Sequence, residues 1–138
     1  MQLHISYGLP SIEEYNMLRR LAEWPVLDRQ LVEVGLSNSL FSVVVRDNAD
    51  VILGMGRVIG DGAIYLHIQD VIVRPEYQRR GIGKMIMEEL MTFVNGTGGN
   101  YTNIGLMCSK GREPFYKNFG FIERPSGKFG AGMIMVRE

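Results

Sequence analysis

The stretch from Tyr77 to Met85, YQRRGIGKM, sets Arg79, Arg80 and Lys84 around Gly81 and Gly83, shortly after the run VIVRP at 71–75. Beyond it Ile82, Ile86, Leu90, Phe93 and Val94 recur at helical spacing with Lys84, Glu88, Glu89 and Thr92 between them, so a helix is predicted to begin at the glycine elbow. A helix N-terminus offers backbone N–H groups that lack partners and the positive end of the macrodipole, which together attract phosphate oxygens. Glycines let such a ligand approach the backbone, and the basic side chains add a positive rim. The chemistry implied is the binding of a local anion, for which a diphosphate is the natural guest. A capped helix whose arginines are merely solvated accounts for the same stretch.

Two familiar phosphate motifs are excluded. The nucleotide-hydrolase loop GxxxxGK[ST] requires glycine where Gln78 stands and a hydroxyl where Met85 stands. The dinucleotide fingerprint GxGxxG, begun at Gly81, requires a third glycine at Ile86, and GMGRVI at 54–59 fails in the same way.

Composition narrows the guest further. The chain has 138 residues, enough for one domain over 1–138 with a single substantial core. Its 15 basic and 15 acidic side chains cancel, so the broad positive field of a nucleic-acid binder is lacking, and any anion site must be local. No stretch approaches the ~20 apolar residues of a membrane span, and MQLHISYGLP has neither a basic nor an apolar leader region, so a cytoplasmic location is the expectation. Cys108 is the single cysteine, and only His4 and His67 offer imidazole, so no metal site is expected.

The elements that must position the elbow read as follows. Residues 2–7 form a short first strand. Ser11, with Glu14 three residues on, opens a helix that Trp24-Pro25 interrupts, and Asp28 caps a second helix to about Leu36. LFSVVVRD, VILGMGRVIG and AIYLHIQDVIV make a three-strand meander with turns at Asn48–Asp50 and Asp61-Gly62. After the elbow helix, NIGLMCS is a strand, REPFYKNFG a short helix ended at Gly120, and 119–124 and 132–138 two last strands. The order implies an α/β layer arrangement with a mixed sheet.

The run DVIVRPEYQRRGIGKMIMEEL, followed by PFYKNFGF, resembles the GCN5-related N-acetyltransferase (GNAT) family. That family's signature [QR]-x-x-G-x-[GA] is matched by Gln78, Arg79, Arg80, Gly81, Ile82 and Gly83, and its later FY…GF element by Phe115, Tyr116, Gly120 and Phe121. The resemblance implies one mixed sheet of six to seven strands, splayed between strands 4 and 5 and flanked by about four helices. It implies acetyl-coenzyme A as acetyl donor, its pyrophosphate on the amides of 79–84, with Ile72 and Val73 offering backbone groups to the pantetheine and the thioester. It also implies direct transfer to a primary amine of a small molecule or peptide, the acceptor site being walled by the first helices, the loop Trp24–Arg29 and the loop 125–132. The family often has Asn at the end of the fifth strand and Ala three residues on; this chain has Ser109, able to hydrogen-bond pantetheine, and Arg112, able to reach a phosphate. A homodimer is compatible with the resemblance.

Acetyl transfer needs a neutral amine, a stabilised oxyanion and a proton for the departing thiolate. The resemblance places the thiolate's acid at Tyr116, a phenol ordinarily near pKa ~10. It places the base at the position of His67, which strand alternation turns away from Leu66 and Ile68, with Asp70 as the second candidate. A non-catalytic acyl-coenzyme A sensor that keeps the elbow is the rival reading.

Overall fold

A computed structural model describes residues 2–138. Five strands form one sheet in the order β1 (His4–Ser6), β2 (Phe41–Arg46), β3 (Ile52–Gly60), β4 (Tyr65–Val73) and β5 (Asn103–Leu106). Pairs β1–β2, β2–β3 and β3–β4 are antiparallel, and β4–β5 is parallel. Four α-helices accompany it: α1 (Ile12–Leu21), α2 (Arg29–Ser37), α3 (Ile82–Asn95) and α4 (Glu113–Lys117), with a 3₁₀ turn at Pro75–Tyr77.

Alternation along the strands divides two cores. Val43 and Val45 of β2 pack with Leu53, Val58, Leu66 and Ile68 under α3, whereas Val44 joins Ile52, Met55 and Ile72 under Tyr15 and Leu18 of α1 and Val32 and Leu36 of α2. The α3 side is sealed by Ile82, Ile86, Met87, Leu90 and Val94, all buried. That close fit explains the glycines of GMGR: a Cβ on Gly56 would lie 2.6 Å from Ile86 Cγ2 and 2.9 Å from Leu90 Cδ1. Gly56→Ala would therefore force α3 off the sheet at a cost of about 1–3 kcal/mol.

Most local signals hold. Ser11 Oγ accepts from Glu14 N at 3.0 Å while Glu14 Oε1 accepts from Ser11 N at 2.9 Å, closing the capping box. At the second turn Asp61 Oδ1 accepts from the backbone N–H groups of Ala63, Ile64 and Tyr65. Asp28, by contrast, occupies the cap position of α2 without making a side-chain cap bond.

The strand count is corrected from six or seven to five. Segments 119–124 and 132–138 form no ladder; their connection closes only as a tight turn, where Ser126 and Phe129 exchange backbone hydrogen bonds of 2.9 Å and Arg124 Nε donates to Gly130 O. Alternation and β-propensity say that a segment suits a strand, but a strand exists only where a neighbour completes its backbone hydrogen bonds. The fifth strand is likewise shorter than NIGLMCS, ending at Leu106.

Candidate active site

β4 and β5 pair only from Tyr65↔Asn103 to Ile68↔Leu106. Beyond Ile68, β4 continues to Val73 with no strand on the β5 side, so the sheet opens there as expected. Asp70 marks the change: it adopts φ 56°, and the register with β3 slips between Met55 and Arg57. This bulge inserts one residue into the alternation. Leu66 and Ile68 lie on the α3 side before it, Val71 and Val73 after it, and Ile72 joins the α1–α2 core.

The opening is a cleft of about 590 Å³ lined by Val71–Val73, Gln78, Arg79, Gly81, Gly83, Lys84, Ser109, Arg112, Phe115 and Tyr116, and also by Leu21–Trp24. The elbow forms part of this lining. Arg79 has φ 64° and Gly81 φ 83°, and Gly81 is the N-cap of α3, whose first closing bond runs from Met85 N to Gly81 O at 3.0 Å. None of the backbone N–H groups of residues 79–84 has an acceptor among the described residues. A Cβ on Gly81 would meet nothing within 4 Å, so the space over these donors is open. Consecutive free amides in a backbone that turns through positive φ form a concave anion nest. Arg79, Arg80 and Lys84 are exposed around it, Arg80 resting 5.2 Å from the Tyr77 ring centroid. Gln78 anchors the rim: its Nε2 donates to Val73 O at 3.2 Å and its Oε1 accepts from Arg112 Nη2 at 3.2 Å. Ile82 takes no part in the rim, its side chain being buried in the α3 core.

Ser109 and Arg112 are joined through the backbone, Arg112 N donating to Ser109 O at 3.0 Å as α4 begins. Both side chains stand at the cleft. Tyr116 sits edge-on to Phe115 (5.0 Å) and Phe121 (6.5 Å), which fixes the ring while leaving its hydroxyl without a hydrogen-bond partner among the described residues. Burial raises its pKa above the ordinary phenol value, reinforced by Cys108 and opposed by Arg112, so Tyr116 holds its proton at neutral pH.

The two base candidates stand elsewhere. Asp70 is buried under the sheet, accepting from Tyr15 Oη at 2.8 Å and from Arg57 Nε at 2.8 Å. Arg57 in turn donates to Gly35 O and Ser39 Oγ, so Asp70 ties β4 to α1 and, through Arg57, to the end of α2. Asp70→Leu would leave the Arg57 side chain, 12% exposed, without its counter-ion at a cost of about 3–5 kcal/mol. His67 lies half-buried on β4 across from Gly105, outside the cleft lining. Desolvation lowers its pKa below the ordinary imidazole value, against a smaller rise from Gln69, which keeps it neutral near pH 7.

The sequence reading missed Glu23. Helix α1 ends in a Schellman motif, with Trp24 N donating to Arg19 O at 2.8 Å and Glu23 N to Arg20 O at 3.0 Å. Position Glu23 is therefore the left-handed residue of the motif, φ 63°, where glycine is usual. Among the described residues Glu23 is the one carboxylate lining the cleft, which it shares with the cations Arg79, Lys84 and Arg112. Its wall is held by Arg19, which donates to Pro25 O at 2.6 Å and lies 5.6 Å over the Trp24 ring, and by Asn16, which exchanges two hydrogen bonds with the Leu27 backbone. The remainder of the loop to Arg29, and the loop 125–132, do not line the cleft.

The molecule is thus an α/β domain whose sheet opens beside the start of a helix. The chain belongs to the acetyltransferase (GNAT) family, whose domain model matches residues 37–123. A Staphylococcus aureus protein of unknown function, described as "Probable Acetyltransferase", has a structure similar over 99% of this chain and 100% of its own, at 33% identity and TM-score 0.89. A GNAT family protein from Streptococcus pneumoniae matches over 99% of this chain and 100% of its own, at 26% identity and TM-score 0.80. GCN5-related N-acetyltransferase 1, chloroplastic, of Arabidopsis thaliana is 28% identical over 93% of the chain. The chain spans 64% of that protein, and 29% of the Arabidopsis GCN5-related N-acetyltransferase 2 that it also resembles.

Proposed function

We propose that the chain is an acetyl-coenzyme A-dependent N-acetyltransferase acting on a primary amine. The observation that carries this reading is the run of unpaired amides at residues 79–84 beside a partnerless Tyr116 hydroxyl in one cleft. The residues present fit the donor. Amides 79–84 with Arg79, Arg80 and Lys84 match a diphosphate, Arg112 stands by for a further phosphate, and the backbone of Ile72 and Val73 with Ser109 lines the path for an uncharged polar arm. When bound, coenzyme A supplies an activated acetyl group as a thioester.

The chain's own groups divide the remaining work. Tyr116 holds a proton in a half-buried position from which its hydroxyl can donate to sulfur. Glu23, the carboxylate of the cleft lining, favours an acceptor that arrives as an ammonium ion, which is why an amine is the preferred class. His67, neutral and outside the cleft, can take the amine's proton only through intervening water. Asp70 works as a positioning residue: its bulge turns Val71–Val73 into the cleft, and its bonds to Tyr15 and Arg57 hold the acceptor wall to β4.

The test is a panel of small amines and peptides incubated with acetyl-coenzyme A, with free thiol and acetylated product both measured. Matched release of thiol and product with at least one amine supports the reading. Tight binding of the donor with no turnover across the panel would favour the non-catalytic sensor.

A further inference from the structure

Arg19, on α1, is a half-buried cation with which no carboxylate among the described residues pairs. Its guanidinium faces two aromatic rings instead, 5.8 Å from the Tyr15 centroid and 5.6 Å from the Trp24 centroid. Its Nε donates to Pro25 O at 2.6 Å and its Nη1 to Tyr15 Oη at 3.4 Å. A planar guanidinium can donate in two fixed directions while it rests on ring faces, a geometry that a lysine ammonium on its flexible stem does not hold.

Arg19 is thereby one end of a directed chain of hydrogen bonds. The Tyr15 hydroxyl accepts from Arg19 and donates to Asp70 Oδ2 at 2.8 Å, across 55 positions of sequence. Tyr15 is 3% exposed. Burial raises its pKa above the ordinary phenol value, with Asp70 adding to the rise and Arg19 opposing it, so the hydroxyl keeps the proton it donates. Neither Tyr15 nor Arg19 lines the cleft, but the two ends of the chain govern different parts of the lining. Asp70 forms the bulge that precedes Val71–Val73. Arg19 grips the turn after α1 twice, its carbonyl accepting from Trp24 N at 2.8 Å while its side chain holds Pro25 O. Glu23 and Trp24 are in this way tied to Val71–Val73 through one buried tyrosine.

We propose that Tyr15 and Arg19 are positioning residues for the acceptor, the chain Arg19–Tyr15–Asp70 holding the Glu23–Trp24 wall at a fixed place relative to the donor's path along Val71–Val73. The kinetic part of this proposal rests on the acetyltransferase reading, and the spectroscopic part does not.

The test uses the full chain with Tyr15→Phe, which keeps the ring and deletes the link, and with Arg19→Lys, which keeps the charge and loses the fork. With an amine that the parent chain acetylates, KM for that amine should rise ~10-fold in each variant, with kcat lowered less and donor affinity unchanged by calorimetry. Because both residues act through the same bonds, the double variant should be no worse than the poorer single one. Trp24 is the single tryptophan, so its fluorescence reports the wall itself. Quenching of that fluorescence by neutral acrylamide should become ~2-fold stronger in both variants as the wall loosens. A folded variant that melts at a lower temperature yet keeps the parent KM, losses that simply add, or unaltered quenching would each overturn the proposal. A parent chain that acetylates no amine defeats the acetyltransferase reading instead, and the quenching of the two variants then decides alone whether Tyr15 and Arg19 hold the wall.

Discussion

The elbow 79–84 and the segment 131–138 both leave backbone groups without partners, yet they are opposites in every other respect. At the elbow the donors are fixed by α3, by two positive-φ residues and by the Gln78 bridge, and the side chains around them are cationic. Along 131–138 no hydrogen bond to a described residue fixes the backbone, and Met133–Val136 are apolar and exposed. Unpaired groups held rigidly in a charged frame are preorganised for a small ligand, whereas unpaired groups among exposed hydrophobes lack that preorganisation. What free groups can hold is thus read from what surrounds them, and four substitutions probe the first half of the comparison.

The largest effect is expected at the elbow itself. Gly81→Val puts a branched side chain into the open space over the amides and demands φ near 83°, which a β-branched residue does not adopt. Affinity for acetyl-coenzyme A should fall ~100-fold or more, corresponding to about 2.7 kcal/mol. Unchanged affinity of the folded variant would move the anion site elsewhere.

Next is Tyr116→Phe, which keeps the ring contacts with Phe115 and Phe121 and deletes the hydroxyl. The rate kcat should drop by roughly 10²-fold while donor affinity stays as it was. A variant with full kcat, when chemistry limits the rate, would assign the thiolate's proton to water.

Glu23→Gly gives two readouts of opposite sign. Glycine suits φ 63°, so thermal stability should hold or rise, by up to about 1 kcal/mol. At the same time KM for a cationic acceptor should increase ~10-fold, the order of one lost exposed charge contact. A fall in stability with unaltered KM would make Glu23 a structural residue only.

The smallest effect belongs to His67. Its pKa is lowered, so the neutral form persists to below the ordinary value of 6.5, and kcat/KM should fall only as pH drops through that depressed value. His67→Gln should remove the inflection and cost about 10-fold or less, because the proton travels through water. An inflection that survives the substitution and follows the acceptor's own pKa would belong to the substrate.

Much of this was legible in the sequence, and the exceptions have physical causes. The elbow, the apolar face of α3 and the capping box at Ser11 are local patterns, set by residues within a turn or two of each other, and they reappear in the structure. The bulge at Asp70 was not legible, because one inserted residue reverses alternation without leaving a glycine or proline to mark it. Glu23 was hidden for the same reason: a left-handed helix end is normally announced by glycine. Segments 119–124 and 132–138 read as strands by propensity and form none in the structure, because pairing depends on a partner that neither segment encodes.

The central claim, that the amides of 79–84 hold a diphosphate, is tested most directly by calorimetry with three acetyl donors, two that carry the diphosphate and one that lacks it. Acetyl-coenzyme A should bind at least ~100-fold more tightly than S-acetylpantetheine, which lacks the diphosphate and nucleotide, and acetyl-dephospho-coenzyme A, which keeps the diphosphate, should retain most of that advantage. Equal affinity of all three, or an advantage that disappears with the dephospho donor, would contradict the account.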